Sequence, residues 1–598
     1  MVYKKLYINA RNDWDWKFEN LVYLHFTKYV ASQSISTIQL AGSQKMSLIK
    51  QAIPSTVKKA RIGVIGAGIS GLTFSYFLAK LHPDWSIKVY EQSKRPGGYI
   101  LSQPTKVGDA KSTILEKGPR TLRGVSQGTL ILLDLLDKFK LRSTIKGVHA
   151  NAAANKKYLL SKSGGFHIVQ VPDDSKTTLK FVLDGIGRSI PSAIGREMFT
   201  MKKAQKEETV DEFVTRHFGR NMWRNLFSAI MNGIYAADGT QLSVKAVMPK
   251  LADIESKNAS ICRYMFGKSV FGKKKTSEKQ PQISPYLQLY EKEFQPRLNL
   301  LKMSQYLRNF PMTLLSGGLE TLPKAIYANM PPNVEFKFGS KVSDIKPLPN
   351  GKISLKNNSA EEQFDHVRST INVQALSHML KSPDFAKLVS PLKYTTVTLA
   401  NVYVPNQNVL PKTGFGFLVP NASADEDKLL GVIFDSDVEH SAKPIFASEK
   451  ITSVLQSDKP VEKKQLDELA GEILKADPPI KDPYTKVTFM IGGAKYDKVA
   501  KLPSENEIKQ IVLRKMDEVL GVNLGDDARI EVGFVKNAIP QYNVGYLDLK
   551  AKAWKLAENE FNGNLSFGGM TFADGVGVPD CVMSSFKDAL RLSGRDNL

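Results

Sequence analysis

The sequence is poor in cysteine, since Cys262 and Cys581 are the only two among 598 residues. They lie far apart, which argues against a disulfide framework, a cysteine-based zinc site and an iron–sulfur cluster. The eight histidines are scattered and form no H-E-x-x-H pattern. We therefore predict no metal centre.

Long apolar runs are also absent. No stretch of about 18 apolar residues occurs, so we expect no transmembrane helix. Hydrophobic residues make up 42% of the chain and charged residues 24%, a mixture typical of globular proteins. A chain of this length can bury a large core and form more than one lobe.

Acidic residues are fewer than basic ones: the chain has 59 acidic and 83 basic residues, which gives a net charge of +24. Such an excess favours nucleic acid, anionic lipid or an anionic substrate as partner. No recognition helix or RNA-binding pattern is present, so we predict no nucleic-acid partner. Peripheral contact with an anionic membrane stays open.

The N-terminal segment contains no acid from Asn20 to Pro83. Its basic, hydroxyl-containing stretch MSLIKQAIPSTVKKAR, residues 46–61, is typical of a mitochondrial transit peptide. We expect residues 1–60 to be a disordered leader with this function, and Met46 to be an alternative start. A leader without a targeting function is the other interpretation.

The stretch RIGVIGAGISG, residues 61–71, contains a G-x-G-x-x-G pattern. The pattern is informative here because 61–65 predicts a buried strand, 72–81 a helix and 86–91 a second strand. In such a unit Gly66 permits a tight turn, Gly68 lets a pyrophosphate approach and Gly71 lets the helix pack closely. The helix start, with Ile69 and Ser70, offers free N–H groups to phosphates.

Glu91 lies 20 residues beyond Gly71 and can accept hydrogen bonds from ribose hydroxyls. It would repel a 2′-phosphate, so NADP is disfavoured, and NAD and FAD remain. The residues after it, QSKRPGG, complete an E-x-x-x-R-x-G-G extension with Arg95, Gly97 and Gly98. This string resembles the FAD-dependent oxidases that include amine oxidases, phytoene desaturases and protoporphyrinogen oxidases. The resemblance implies FAD, with Gln92, Gly118 and Pro119 among its contacts.

The C-terminal stretch GNLSFGGMTFADGVGVPDCVMSSFKDAL, residues 563–590, resembles the closing motif of that family. The resemblance implies that Asp574 is directed toward the ribityl–phosphate chain. It also implies that Gly577 and Val578 lead into a helix whose N-terminus stabilises negative charge on the reduced flavin. Covalent members use a cysteine ahead of this motif, whereas Cys581 lies inside it, so noncovalent FAD is expected.

The middle stretches LSGGLETLP, 315–323, and KVSDI, 341–345, resemble segments that return the chain to the FAD domain, with Val342 contacting the adenine through its backbone. Strands are predicted at 334–345 and 367–371, helices over 125–150 and 207–238, and an antiparallel sheet from 395–404, 415–419 and 430–434. We predict an α/β fold with a Rossmann-like FAD-binding domain assembled from discontinuous segments, an antiparallel-sheet substrate domain and a helical membrane-associated lobe. The predicted segments are 61–124, 312–375 and 535–598 for the FAD-binding domain, 125–263 for the helical lobe, 264–311 for a basic insertion and 376–534 for the substrate domain.

The insertion is predicted to be disordered over 264–295. Residues 263–279 carry one acid against six bases, Arg263, Lys268, Lys273, Lys274, Lys275 and Lys279. A solvated loop and a membrane- or partner-binding patch are both open interpretations.

Several stretches resemble protoporphyrinogen oxidases more specifically. They are ILEKGPRTLRG at 114–124, TVDEFVTRHFG at 209–219, NGIYAADGTQLSVKAVMP at 232–249, TGFGFLVP at 413–420, GVIFDS at 431–436 and AIPQYNVGY at 538–546, where Tyr546 replaces the usual histidine. The resemblance implies oxidation of protoporphyrinogen IX to protoporphyrin IX, with six electrons passing through FAD to molecular oxygen and hydrogen peroxide formed. It further implies a peripheral location on the mitochondrial inner membrane, a homodimer, and a contact with ferrochelatase.

The two substrate propionates require cations. Arg120 is the first candidate, because a guanidinium binds a carboxylate bidentately, and a structural arginine is the alternative. Lys156 stands where the family has an arginine. Gly233 matches a glycine of close approach, for which a simple turn glycine is the alternative. Two rival functions stay open: another FAD-dependent amine oxidase or desaturase, and a flavin-binding scaffold without turnover.

Overall fold

The structure is a computed structural model. It describes residues 59–107, 111–199, 206–258, 260–264, 282–407, 409–446, 448–457, 459–475 and 484–596. The predicted leader up to residue 58 and most of the basic stretch 263–279 lie outside the described residues.

The strands are numbered along the chain. They are β1 Arg61–Ile65, β2 Ser86–Tyr90, β3 Ser102–Val107, β4 Lys111–Glu116, β5 Leu122–Arg123, β6 Ile145–Val148, β7 Lys157–Ser161, β8 His167–Gln170, β9 Met312–Leu315, β10 Val334–Lys337, β11 Val342–Pro347, β12 Ile353–Asn357, β13 Glu361–Phe364, β14 His366–Ser369, β15 Tyr394–Val404, β16 Gly416–Leu418, β17 Leu429–Ile433, β18 Ala442–Pro444, β19 Thr485–Gly492, β20 Arg529–Pro540 and β21 Leu565–Phe567.

The α-helices are numbered in the same way. They are α1 Ile69–Leu81, α2 Gln127–Lys138, α3 Ser175–Leu183, α4 Ile190–Phe199, α5 Val210–Phe218, α6 Arg220–Met222, α7 Ser228–Tyr235, α8 Val244–Val247, α9 Pro249–Asn258, α10 Pro285–Phe294, α11 Leu300–Tyr306, α12 Thr321–Ala328, α13 Val373–Leu380, α14 Pro383–Val389, α15 Asp435–Ser441, α16 Glu449–Gln456, α17 Lys463–Lys475, α18 Glu505–Leu520, α19 Tyr546–Phe561 and α20 Val578–Leu592. A π-helical turn, Trp223–Phe227, joins α6 to α7.

A parallel five-stranded sheet has the order β10-β2-β1-β14-β21. Its central strand β1 is aligned with both neighbours, so that Ile62 lies opposite Ile87 of β2 and His366 of β14. The predicted strand–turn–helix–strand unit is therefore confirmed. Helices α1 and α20 pack together beside this sheet, and the rings of Phe77 and Phe586 lie 5.4 Å apart in an edge-to-face contact.

A seven-stranded sheet has the order β20-β15-β19-β17-β16-β7-β8. Its pairs are antiparallel except for β16 and β7, so the predicted antiparallel sheet at 395–404, 415–419 and 430–434 is confirmed. Strands β7 and β8 join it from the segment predicted as a helical lobe, and β20 joins it from a segment assigned partly to the FAD domain. The local pattern did not reveal these pairings, because strand pairing is decided by partners distant in the sequence.

The helix predicted over 125–150 ends earlier than expected. Helix α2 stops at Lys138, and β6 follows in a four-stranded sheet with β18, β9 and β5. A side chain at Gly147 would approach Ile445 to within 2.6 Å, so the strand packs closely at this point. The apolar composition alone did not reveal this change from helix to strand.

The predicted disorder over 264–295 is wrong at its C-terminal end. Ser284 caps helix α10 by accepting a hydrogen bond from the Leu287 amide, and Pro285 occupies its first turn. Phe294, the last residue of α10, packs its ring 5.4 Å from that of Phe77 in α1. Burial of these apolar side chains offsets the conformational entropy of ordering the segment.

Candidate functional site

The glycine turn lies at the carboxyl end of β1, where the order of strands reverses. Such a switch point is the usual ligand crevice of an open α/β sheet. Gly66 has a φ of +100°, which favours glycine, and its amide donates to the Tyr90 carbonyl at 2.8 Å. Thr370 directly follows β14, and its hydroxyl donates to the Ile65 carbonyl at 2.9 Å, which fixes the turn to the end of that strand.

Gly68 and Gly71 differ in what a side chain would meet. A Cβ atom on Gly71 would lie 1.9 Å from the Gly66 carbonyl oxygen, so glycine is required for α1 to begin here. A Cβ atom on Gly68 would meet only the Gly98 Cα atom, at 4.0 Å. Gly68 caps α1 without a side-chain hydrogen bond, which leaves the N–H groups of Ile69 and Ser70 at an open helix start. This geometry suits a diphosphate.

Glu91 is anchored on the turn. Its carboxylate accepts from the Ala67 amide and the Ser93 amide, each at 2.8 Å. Carboxylate oxygens have further lone pairs for ribose hydroxyls. The exposed Gln92 follows it. The Glu91 carbonyl accepts from the Ser340 amide at 2.9 Å, which brings the segment that leads into β11 beside it.

Val342, the first residue of β11, has a side chain that is 2% exposed. Its side chain is therefore committed to the core. This is consistent with the predicted adenine contact, which uses only its backbone.

Arg95 shapes the glycine doublet. Its guanidinium donates to the carbonyls of Pro96, Gly98 and Ile100 at 2.6–3.0 Å and forms an ion pair with Glu320 at 3.3 Å. Arg95 was predicted to bind the cofactor, whereas the structure assigns its hydrogen bonds to the loop itself. It thereby supports the doublet, whose first member Gly97 donates from its amide to the Ala67 carbonyl at 2.8 Å.

The closing motif forms a turn between β21 and α20. Gly577 caps α20, and its amide donates to the Asp580 carboxylate at 3.1 Å. Val578 and Pro579 form the first turn, as predicted. Burial raises the pKa of Asp580 to about 6, although the hydrogen bond from Gly577 partly offsets this effect.

Helix α20 is held close to the glycine turn. The Ser585 hydroxyl donates to the Ser70 carbonyl at 3.0 Å. A Cβ atom on Gly128, in the first turn of α2, would lie 1.9 Å from the Pro579 carbonyl oxygen. The first turns of α2 and α20 therefore lie together, while the first turn of α1 lies beside the middle of α20.

Asp574 is paired with lysines. Its carboxylate lies 3.0 Å from Lys587 and 3.9 Å from Lys550, and its side chain is 40% exposed. Burial raises the pKa of Asp574, but the two lysines outweigh it and leave the pKa below its usual value. The group is thus an anion oriented by Lys587, a partner that the sequence did not predict.

Gly118, Pro119 and Arg120 lie after β4. A Cβ atom on Gly118 would be 2.0 Å from the Tyr99 carbonyl oxygen, so the loop passes directly beside the glycine doublet. Pro119 is exposed. Arg120 donates to the Asp435 carboxylate at 2.6 Å, and these side chains are 10% and 7% exposed.

The prediction that Arg120 binds a substrate propionate stays a prediction, and the structure gives its alternative, a structural arginine, one protein partner. One N–H group of the Arg120 guanidinium donates to the Asp435 carboxylate. Asp435 also accepts from the Thr488 hydroxyl at 2.6 Å, which fixes the pair to β19. Both partners are nearly buried, so breaking the pair leaves an uncompensated charge.

Lys156 has an exposed side chain and lies close to this pair. Its carbonyl accepts from the Phe415 amide at 2.7 Å, and the Phe415 carbonyl accepts from the Phe434 amide at 3.0 Å. Asp435 directly follows Phe434 in the chain. The backbone of Lys156 is thus linked through Phe415 to the segment that carries Asp435, and its side chain is exposed.

Gly233 serves helix packing. It lies inside α7, and a Cβ atom there would be 2.8 Å from the side chain of Leu418 in β16. The close approach is real, but the neighbour is a side chain of the seven-stranded sheet. Its predicted role in the active site stays a prediction.

In the described part of the chain, no group of three histidine, cysteine, aspartate or glutamate side chains could hold a metal ion. Cys262 and Cys581 are both buried and free of disulfide bonds.

Sequence reasoning missed Asp435, Thr370 and Asp580. Asp435 was part of the quoted GVIFDS stretch and Asp580 of the closing motif, so a signal was present for both. Their partners were not visible, because Asp435 lies 315 residues beyond Arg120. Thr370 carried no recognisable signal.

Comparison with known proteins agrees with this geometry. Residues 69–592 match the family described as flavin containing amine oxidoreductase. Protoporphyrinogen oxidase of Saccharomyces cerevisiae is 34% identical over 90% of this chain and 98% of its own length. That of Schizosaccharomyces pombe is 26% identical over 90% of this chain and 99% of its own length.

A solved structure described as a candidate protoporphyrinogen oxidase from an Exiguobacterium species superposes with a TM-score of 0.64 at 17% identity, covering 90% of this chain and 99% of that one. At this identity the likeness shows the fold, a mixed α/β flavin oxidase fold. Because the family match spans most of the chain and the yeast relative is matched over nearly its whole length, the chain belongs to the flavin-containing amine oxidoreductases and, within them, to the protoporphyrinogen oxidases.

Proposed function

We propose that this protein oxidises protoporphyrinogen IX to protoporphyrin IX, passing six electrons through noncovalently bound FAD to molecular oxygen. Each oxygen molecule accepts two electrons and two protons and leaves as hydrogen peroxide. The single observation that carries the proposal is the full-length similarity to a yeast protoporphyrinogen oxidase, in a chain whose glycine turn can receive a diphosphate.

The residues present fit FAD. The open N-terminus of α1 would hold the diphosphate, Glu91 the ribose hydroxyls and the start of α20 the flavin end. When bound, FAD supplies the hydride acceptor. The chain itself contributes position and electrostatics, since the helix N-termini place positive potential where negative charge accumulates on reduction.

Noncovalent binding is supported by the two cysteines. Cys581 lies inside α20 with a side chain that is 3% exposed, and Cys262 is 2% exposed in the helical region. Acid precipitation should release the flavin into the supernatant. A protein pellet that stays yellow would contradict this part of the proposal.

The substrate side is apolar and lies next to the glycine doublet. The Tyr99 hydroxyl donates to the Asn537 carbonyl at 3.0 Å, which joins the doublet loop to β20. Val535 and Ile539 flank this point and are partly exposed on an apolar cluster of the seven-stranded sheet. Such a surface suits a large apolar macrocycle.

Lys156 is the cation that we assign to a substrate propionate. Its side chain is exposed, and its backbone is linked through Phe415 to the segment in which Asp435 pairs with Arg120. Arg120 is then a positioning residue. Lysine binds a carboxylate as a point charge, without the bidentate geometry of arginine.

Peripheral attachment to the mitochondrial inner membrane is supported by exposed apolar side chains on two helices. Leu179, Leu183 and Phe199 are 50%, 75% and 83% exposed on α3 and α4, and we call them the apolar patch. Lys176 and Lys180 are exposed on α3 next to it. Apolar side chains beside basic ones suit an anionic bilayer surface, and a net charge of +24 adds long-range attraction. None of the helices in the described segments is both long and apolar enough to span a bilayer.

The rival functions can be separated by product. Protoporphyrinogen oxidation yields a red-fluorescent porphyrin, whereas an amine oxidase yields peroxide only with amines. The proposal predicts fluorescence with protoporphyrinogen IX and no peroxide with putrescine or benzylamine. The reverse pattern would show an amine oxidase, and a flavoprotein inert to both would indicate a scaffold.

A further inference from the structure

The hydroxyls of two buried tyrosines and one half-buried tyrosine meet two consecutive residues of the closing motif. Tyr542 donates to the Met570 carbonyl and Tyr546 to the Thr571 carbonyl, each at 2.5 Å. The Tyr394 hydroxyl lies 2.6 Å from the Thr571 hydroxyl. It also accepts from the Val373 amide at 3.1 Å, so its hydrogen is available for Thr571.

The three tyrosines come from different parts of the fold. Tyr394 begins β15, Tyr542 follows β20, and Tyr546 is the first residue of α19. The rings of Tyr542 and Tyr546 stack with centroids 4.3 Å apart. Burial raises the pKa of all three phenols, and that of Tyr394 to about 12, so each remains a hydrogen-bond donor at working pH.

On the side opposite the tyrosines, the same turn packs against Thr370, the residue that supports the glycine turn. Gly569 has a φ of +76°, and a Cβ atom there would lie 2.7 Å from the Thr370 carbonyl oxygen. Thr370 is the residue that bonds to the carbonyls of Ile65 and Gly66. The turn is therefore confined between the tyrosine hydroxyls and the strand that supports the diphosphate site.

Residues 572–577 follow these contacts and lead directly into the first turn of α20. Backbone carbonyls of Met570 and Thr571 point to the tyrosines, so the hydroxyls determine how the rest of the turn is presented. We propose that Tyr546, together with Tyr542 and Tyr394, is a positioning residue that fixes this turn for flavin binding. The inference rests on the flavin site of the proposed function and is independent of the substrate.

The occupant of position 546 is consistent with this role. Family resemblance places a histidine there, and Tyr546 departs from it. A phenol hydroxyl extends further from the backbone than an imidazole nitrogen. We therefore expect Tyr546→His to behave like Tyr546→Phe in this chain, because neither side chain can donate to the Thr571 carbonyl.

The test measures FAD release from the purified holoprotein. Free FAD is followed by its fluorescence after dilution, and the thermal midpoint is measured in parallel. Tyr306→Phe is the matched control, since Tyr306 is equally buried and donates to the Ile445 carbonyl at 2.8 Å in another part of the core. Losing one buried hydrogen bond should change an equilibrium by roughly three- to tenfold.

We expect Tyr546→Phe and Tyr542→Phe to speed FAD release by about that factor, while Tyr306→Phe lowers the midpoint but leaves release unchanged. Thr571→Val removes only the hydrogen bond to the Tyr394 hydroxyl. It replaces either phenylalanine variant in the test if that variant fails to fold. Release at the parental rate in these variants, with midpoints lowered as in Tyr306→Phe, would overturn the inference. A parent protein that retains no flavin would overturn both this inference and the proposed function.

Discussion

The carboxylate of Asp435 accepts a hydrogen bond from the Arg120 guanidinium at 2.6 Å, and this pair joins the loop after β4 to the first turn of α15. The loop also contacts the glycine doublet through Gly118. The pair therefore connects the cofactor side of the protein to the seven-stranded sheet. Arg120, which was predicted as a substrate ligand, thus also has a structural partner.

The first prediction concerns this link. Asp435→Ala leaves the buried Arg120 charge without a partner and should cost about 3–5 kcal/mol of stability. Arg120→Ala should cost a similar amount, and the double variant much less than the sum, because the two residues interact directly. Urea denaturation of the holoprotein measures all three. Strictly additive losses would contradict the link.

The second prediction concerns Lys156. Lys156→Ala should raise KM for protoporphyrinogen IX by roughly tenfold with little change in kcat, because one charge-assisted hydrogen bond is lost. Lys156→Arg should keep KM near the parental value. Lys356→Ala, at an exposed position on β12, is the control. An unchanged KM in Lys156→Ala would show that another cation binds the propionate.

The third prediction separates two glycines of the same turn. Gly68 has a φ of −68°, and a Cβ atom there meets no protein atom closer than 4.0 Å, so Gly68→Ala should fold normally without flavin. It should nevertheless abolish FAD retention, because the methyl group would occupy the path of the diphosphate. Gly71→Ala should impair folding as well, since its Cβ atom would clash with the Gly66 carbonyl.

These two glycine variants are compared by the thermal midpoint of the FAD-free protein and by flavin content after purification. Full flavin content in Gly68→Ala would show that the diphosphate does not bind at this turn.

The fourth prediction concerns the apolar patch. Leu183→Ser combined with Phe199→Ser should sharply reduce cosedimentation with vesicles that contain anionic lipid, because apolar area that enters the bilayer is lost. Leu474→Ser is the control, as Leu474 is 44% exposed on α17. Binding that is insensitive to the double substitution, or equally strong to neutral vesicles, would contradict the assigned surface.

The fifth prediction concerns pH and a buried histidine. His217 lies 3.2 Å from Glu197 and 2.9 Å from Glu255, with no exposed surface. Burial lowers the pKa of His217, but the two carboxylates outweigh it and raise the pKa above 6.5. The contribution of protonated His217 to the stability of the fold is therefore complete below about pH 6.5, and it is lost as the pH rises through the raised pKa. The difference in thermal midpoint between parent and His217→Gln should shrink from pH 6 to pH 9.

The pH dependence expected for Glu255 has the opposite sign to that for His217. Burial raises its pKa, but His217 and Arg216 outweigh this and lower the pKa to about 2. Its stabilisation is present above about pH 4.5 and is lost as pH falls toward 2. The cost of Glu255→Gln should therefore shrink on acidification. Midpoint differences that are independent of pH for both variants would contradict the assigned charges.

Local features were readable from the sequence. The β1–α1–β2 unit was predicted because strand, turn and helix signals lie within 30 residues and each depends on neighbours in the chain. The start of α20 was predicted for the same reason, since Gly577 and Pro579 carry their own conformational preferences.

Features that depend on distant partners were not readable. Asp435 meets Arg120 only after the seven-stranded sheet has formed, and Gly233 meets Leu418 only when α7 packs on β16. Helix α10 had a signal in Ser284 and Pro285, but the basic stretch before it dominated the interpretation. In the first two cases packing against another segment, and not local preference, decided the outcome.

The most direct test of the central claim is anaerobic. The purified holoprotein is mixed with protoporphyrinogen IX while the visible flavin band is followed, and air is then admitted. We predict bleaching of the flavin under excess substrate, followed by return of the band and red porphyrin fluorescence in air. A flavin that stays oxidised under excess protoporphyrinogen IX would contradict the proposed function.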